Sequence, residues 1–234
     1  MNGLEAGVRL LLFDIDGTLV RTAGAGKHSM DTAFQDVYGV SNGFEDIPMM
    51  GRTDPAILRE ALENHGIVPD GADTERFRTL YFQTLESEIR RPREGKRACT
   101  GIPDLMEALH ARSDVLLGLL TGNWRRSAMM KLHYFNLDTY FRLGAFADDS
   151  ENRNNLVPVA VDRAGPLLQN ELTPEDVFVI GDTPLDVACA RPHGARTVAV
   201  ATGFHSRKEL ETSGADFVFS DLGDTKAVVE AMTR

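Results

Sequence analysis

A parallel α/β sheet flanked by helices and interrupted by a helical insert is the fold class this sequence predicts, on three observations. Short unbroken apolar runs recur along the chain, helical patterns alternate with them, and the alternation fails over one stretch between Arg21 and Arg97. The runs are Val8–Phe13, Val115–Leu120, Val177–Ile180, Thr197–Val200 and Phe217–Phe219, each bounded by Asp, Gly or Thr. A strand with water on one face alternates apolar and polar residues. An unbroken run therefore predicts a strand covered on both faces, as in a parallel sheet. Helical periodicity is read at Pro103–Ala111, Trp124–Phe135, Leu156–Gln169, Leu185–Pro192, Ser206–Thr212 and Asp224–Met232. Strands alternating with helices imply crossover connections, and ligand chemistry at the carboxyl ends of the strands.

Between Arg21 and Arg97, the segments GKHSMDTAFQDVYG, TDPAILREALENHG and DTERFRTLYFQTLESEIR have helical periodicity with no strand among them. The expected division is a core of residues 1–20 and 98–234 with an inserted helical domain of residues 21–97. Thr22–Gly26 (TAGAG) and Arg90–Arg97 (RRPREGKR) flank the insert as candidate hinges.

The chain of 234 residues carries a formal charge of -10, which disfavours a nucleic-acid backbone or an anionic membrane as partner and points to a small molecule. Its two cysteines, Cys99 and Cys189, lack metal spacing, so a reduced, cytoplasmic setting is expected. No basic-then-apolar leader is read at the N-terminus, and Val8–Phe13 is too short to span a membrane.

The chemistry concentrates at three strand ends. In LLFDIDGTLV the first strand ends at Asp14, followed by Asp16, Gly17 and Thr18. Carboxylates two residues apart on extended chain point the same way, and their repulsion is relieved by a cation or by protonation of one. Both states serve phosphoryl transfer, which needs an anionic nucleophile, charge neutralisation and an acid for the leaving oxygen. In LLTGN a strand ends at Thr121, Gly122 and Asn123 before a helix, where a hydroxyl and free amides suit phosphate oxygens or simply cap the helix. In VIGDTPLDV, Asp182 and Asp186 share one face of a helix start, placed to meet a metal or to favour the helix dipole.

With these motifs the chain resembles the haloacid dehalogenase superfamily of hydrolases, in particular its phosphoglycolate-phosphatase-like branch with a helical cap. The resemblance rests on DIDGTLV, the strand end at Thr121, the GDTPLD pair and the position of the insert. It implies a Rossmann-like core with Asp14 as nucleophile and Asp16 as general acid and base. It further implies Mg²⁺ held by the Asp14 carboxylate, the Asp16 backbone carbonyl and Asp182, with Asp186 supporting. Thr18, Thr121, Gly122 and Asn123 would surround the phosphate of a small phosphorylated metabolite. The family's usual Lys-Pro is absent, and in DDSENRNNLVPVAV the nearest cation is Arg153, with Lys131 and Arg163 as the other candidates.

Substrate choice is expected in the insert, where MMGRTDPAI offers Arg52 to an anionic group of the substrate. Alternatively Thr53 or Asp54 caps the helix that begins at Pro55, and Arg52 is merely exposed. Lys27 and His28 are read as helix-surface residues, Trp124 as packing between core and insert, and His193 and His205 as ordinary loop or helix-end residues. The reading is an aspartyl-phosphate phosphatase, monomer or homodimer. A hexose-phosphate mutase and a noncatalytic binding protein of the same fold are the alternatives; a dehalogenase and a signalling receiver fit the acids less well.

Overall fold

The computed structural model describes residues 7–233. The expectation about a leader concerns residues outside that range. Eight strands and nine helices are found among the described residues: β1 (Arg9–Phe13), β2 (Val20–Arg21), α1 (Ala25–Tyr38), α2 (Asp54–Asn64), α3 (Gly71–Arg90), β3 (Arg97–Ala98), α4 (Ile102–His110), β4 (Val115–Leu120), α5 (Arg125–Tyr134), β5 (Leu143–Ala145), α6 (Leu156–Ala164), β6 (Val177–Gly181), α7 (Pro184–Ala190), β7 (Arg196–Val200), α8 (Arg207–Thr212), β8 (Phe217–Phe219) and α9 (Thr225–Thr233). Six strands form one sheet in the order β5-β4-β1-β6-β7-β8, with every neighbouring pair parallel.

Side-chain alternation accounts for the unbroken apolar runs. Leu11 and Phe13 of β1 join Leu117 and Leu119 of β4 and Phe178 and Ile180 of β6 in one cluster under α4, α5 and α9. Leu10 and Leu12 join Leu116, Leu120, Val177 and Val179 in another under α6 and α7. Both faces are thus buried, and a polar residue at any of these positions would lose hydration without a partner.

The three insert helices enclose an apolar cluster, including Phe34, Phe44, Ile57, Phe77, Tyr81 and Leu85, that continues into the core at Trp124 and Ala147. Local chemistry sets their starts. Thr53 caps α2 by accepting from the Ala56 amide, with Pro55 in the first turn, and Asp70 caps α3 through the Asp73 amide. The two connections to the core are not independent linkers. Val20 pairs with Ala98 and Arg21 with Arg97 as an antiparallel ribbon, so both crossings are tied together.

Two helices are shorter than their periodicity predicts. The pattern Leu156–Gln169 breaks after Ala164 into a 3-10 turn at Gly165–Leu167, where Pro166 offers no amide to continue the ladder. Likewise Leu185–Pro192 ends at Ala190, ahead of a 3-10 turn containing Pro192. Strand β5 has no counterpart among the predicted runs. No described helix is long and apolar enough to cross a membrane. Cys99 and Cys189 are buried and free.

Candidate active site

The sheet order places β1 between β4 and β6, so the chain leaves on opposite sides of β1 and opens a crevice at the carboxyl ends of these strands. Asp14 follows β1 there, its amide bonded to the Ile180 carbonyl at 2.9 Å and its carboxylate nearly enclosed. Residues 15–20 close a tight turn in which Gly17 donates to the Val20 carbonyl at 2.9 Å. Gly17 has a φ of 88°, and a Cβ on it would lie 2.4 Å from Asp182 Oδ2, so both the turn and the approach require glycine.

Asp14, Asp182 and Asp186 each direct a carboxylate oxygen into one buried cluster, the oxygens lying within 4.8 Å of one another. Burial, then repulsion from Asp186 and Asp14, drives Asp182 well above the usual carboxylate range. Thr18 donates to Asp182 Oδ1 at 3.1 Å, while Oδ2 is buried without a hydrogen-bond partner. An orphaned carboxylate oxygen among acids is unfavourable by itself and fits a hard divalent cation, which takes oxygen ligands. Asp186 is differently engaged. One oxygen accepts from the Thr183 amide and hydroxyl in a capping box on α7, and the other from Arg153. Its carboxylate braces the cluster from behind.

Arg153 lies in the loop after β5, its guanidinium almost fully enclosed. Nη2 sits 3.1 Å from Asp14 Oδ1 and also contacts Asp186, and Nη1 donates to the Gly51 carbonyl of the insert at 2.9 Å. Burial opposes its charge, but Asp186 and Asp14 hold it above the ordinary arginine value. Burial raises Asp14 to about 6, with Arg153 the main opposing influence.

A second cation enters from α5. The Lys131 ammonium, itself buried, contacts Asp16 Oδ2 and the Asn123 side-chain carbonyl. Asn123 Nδ2 donates to Asp16 Oδ2 and to Thr121 Oγ1, each at 2.9 Å. Thus each acid of the DIDGT stretch has its own cation, Arg153 at Asp14 and Lys131 at Asp16. Arg163 is instead paired with Asp149 at 2.6 Å, outside this cluster.

Above the acids a cavity of about 510 Å³ lies between core and insert, lined on one side by Asp14, Asp16, Asn123, Lys131 and Arg153. Met30, Met49, Ile57 and Tyr81 supply an apolar wall from the insert, and Lys27, Arg97 and Phe204 lie along it. Gly122 and Asn123 also line this cavity. Two residues expected at the substrate have partners within the protein. Thr18 is fully buried and turned to Asp182, and Arg52, although in the wall, pairs with Glu60 at 2.6 Å and donates to the Pro48 carbonyl at 3.1 Å. Thr121 is also fully buried, its hydroxyl oxygen accepting from Asn123.

Trp124 packs between core and insert against Phe77, Tyr81 and Phe82, under the Arg78 guanidinium. Lys27 is paired with Asp31 at 2.8 Å, and His28 is 4.0 Å from Glu88. His193 meets the Asn154 carbonyl at 2.8 Å, and His205 lies 3.9 Å from Glu209.

The chain is similar to known proteins over nearly its whole length. The chain is 24% identical over 229 residues to pyrophosphatase PpaX of Anoxybacillus flavithermus, covering 97% of this chain and 99% of that protein. It is 25% identical over 244 residues to a phosphoglycolate phosphatase of Salmonella paratyphi A, covering 96% and 93%. Its fold superposes on the crystal structure of a predicted phosphoglycolate phosphatase from Haemophilus somnus with a TM-score of 0.73 at 18% identity, covering 96% of this chain and 99% of that one. Residues 11–200 match the haloacid dehalogenase-like hydrolases, and the chain belongs to that family.

Proposed function

We propose that the protein is a phosphomonoester hydrolase for a small phosphorylated metabolite, working through a phosphoryl group carried on Asp14. The observation that supports it most is the Asp14 carboxylate at the floor of the cavity, 3.1 Å from the Arg153 guanidinium. Family membership and the likeness to two curated phosphate-ester or phosphoanhydride hydrolases point the same way.

In this reading an Asp14 oxygen forms a bond to phosphorus as the bond to the leaving alcohol breaks, and Asp16 delivers the proton that the alcohol oxygen takes. Water then attacks the aspartyl phosphate while Asp16 accepts its proton, releasing inorganic phosphate and regenerating both acids. Arg153 offsets charge on the phosphoryl oxygens, and the Gly122–Asn123 turn supplies donors from the other side. Lys131 and Asn123 hold Asp16 at the cavity floor. Mg²⁺ held by Asp14, the Asp16 carbonyl and Asp182 would supply the charge neutralisation that lets two anions approach. The insert acts as a cap whose wall selects the rest of the substrate. Arg52 is engaged by Glu60 and Lys27 by Asp31, and Arg97, which lines the same cavity, is the cation offered to a carboxylate or second phosphate of the substrate.

Phosphate release from a panel of phosphorylated metabolites, with Mg²⁺ and with chelator, tests the reading in wild type and Asp14→Asn. Magnesium-dependent release that the variant lacks is expected. Release that survives in Asp14→Asn, or none from any ester, sinks it.

A further inference from the structure

Helix α5 starts without a side-chain cap of its own, because the residue at its N-cap position is Trp124. Its first amides are nevertheless bonded. The Trp124 N–H donates to Asp54 Oδ2 of the insert at 2.8 Å, and the Arg125 N–H donates to Asp148, which is in turn bridged to Arg78 of α3 at 3.2 Å. Ser127 Oγ approaches the same Asp54 oxygen at 3.4 Å. In the other direction, the Asp54 N–H donates to the Gly122 carbonyl at 2.7 Å.

Asp54 is the first residue of α2, but Thr53 caps that helix, which frees the Asp54 carboxylate to point across the boundary. It therefore lies between the N-termini of two helices, one from the insert and one from the core. Both present partial positive charge there, the one setting in which a buried carboxylate gains most from helix dipoles. Lys131, one helical turn beyond Ser127 on α5, adds a full positive charge facing it.

We infer that Asp54 is a positioning residue: it caps the core helix α5 from the insert, and so fixes the Gly122–Trp124 turn and the seating of the insert as one arrangement. Removing it loosens the turn that faces the substrate phosphate and the insert contact together. Only the consequence for turnover rests on the proposed phosphatase reading.

The molecule carries its own reporter, because Trp124 is its single tryptophan and is packed at this boundary. Emission and amide exchange are measured for wild type, Asp54→Ala and Asp54→Asn, with β1 peptides as the internal reference. In Asp54→Ala the emission moves to the red and exchange at residues 122–128 rises about tenfold, the usual consequence of losing a cap, with β1 unchanged. Asparagine also accepts a hydrogen bond at a helix start, so Asp54→Asn restores most of the emission and the protection. On the best ester, kcat of Asp54→Ala falls about tenfold with a smaller change in KM, and Asp54→Asn recovers part of it. Wild-type emission and exchange in Asp54→Ala overturn the inference, as does Asp54→Asn behaving like alanine or a loss of protection that extends through β1. If no ester is turned over, emission and exchange still decide whether Asp54 caps α5.

Discussion

The Lys131 ammonium meets the Asp16 carboxylate from inside the core, while Arg153 meets Asp14 from the opposite loop. Two acids separated by one residue in sequence are thereby held by two cations on different elements. Lys131 is buried, and the cost of desolvating its ammonium is offset by its contacts with Asp16 and Asn123. Replacing it with methionine keeps the length and apolar stem. Lys131→Met should lower kcat by about 10- to 100-fold, the scale at which a mispositioned acid-base group is felt, with little change in the thermal midpoint. A lower midpoint with kcat intact would make Lys131 a purely structural residue.

Asp182 has a carboxylate oxygen with no hydrogen-bond partner, enclosed by Gly17 and Gly203. A cation binding there stabilises the folded chain by mass action, by about 2.7 kcal/mol at a hundredfold excess over its Kd. In a chain of this size, Mg²⁺ should then raise the thermal midpoint of wild type by roughly 5–10 °C. Asp182→Ala should lose that rise. An equal rise in both proteins would place the ion elsewhere.

Gly122 separates the core turn from the insert by the thickness of a backbone. A Cβ at this position would lie 2.0 Å from the Arg52 carbonyl oxygen, which belongs to main chain and cannot rotate away. Gly122→Ala should therefore displace the insert loop at about 1–3 kcal/mol, the cost of overpacking, and shift Trp124 emission to the red while β4 keeps its amide protection. Unchanged emission would mean that the insert loop yields without moving Trp124.

How much of this was legible in the sequence follows from what each feature depends on. β4 could be read because all six of its residues are buried, which makes the run unbroken. β5 could not: Leu143–Ala145 is three residues long, lies at the sheet edge and has Gly144 at its centre. The ribbon of β2 and β3 is two residues on each side and exists only because both connections cross at one place. Asp14, Thr121 and Asp182 were legible because a strand end fixes where they lie. Side-chain direction was not: Thr18 turns to Asp182, and Arg52, at the cavity wall, is paired with Glu60. The pairing of Lys131 with Asp16 is not legible, because the phase of α5 against the sheet cannot be read from spacing. Spacing offers Asp54 as a cap for its own helix; its bond to the Trp124 amide depends on the insert folding back over α5.

The same carboxyl predicts how stability varies with pH. Burial, opposed chiefly by Lys131, raises Asp54 from 3.8 to about 7, with Asp16 a smaller influence in the same direction as burial; the Trp124 amide and Ser127 favour the ionised form. Tyr81 of α3, itself raised by burial, is the remaining titratable group beside it. A raised carboxyl binds its proton more tightly in the folded chain than in the unfolded one. The stabilisation is therefore full below about pH 4 and is lost as pH rises through 7, in total at most about 4 kcal/mol. Asp54→Asn cannot ionise and escapes that loss. Relative to wild type, the variant should gain about 2 kcal/mol between pH 5 and pH 8, read as a midpoint difference that grows by roughly 5 °C over that interval. A difference that stays constant, or shrinks as pH rises, would show that the Asp54 proton is not held more tightly in the folded chain.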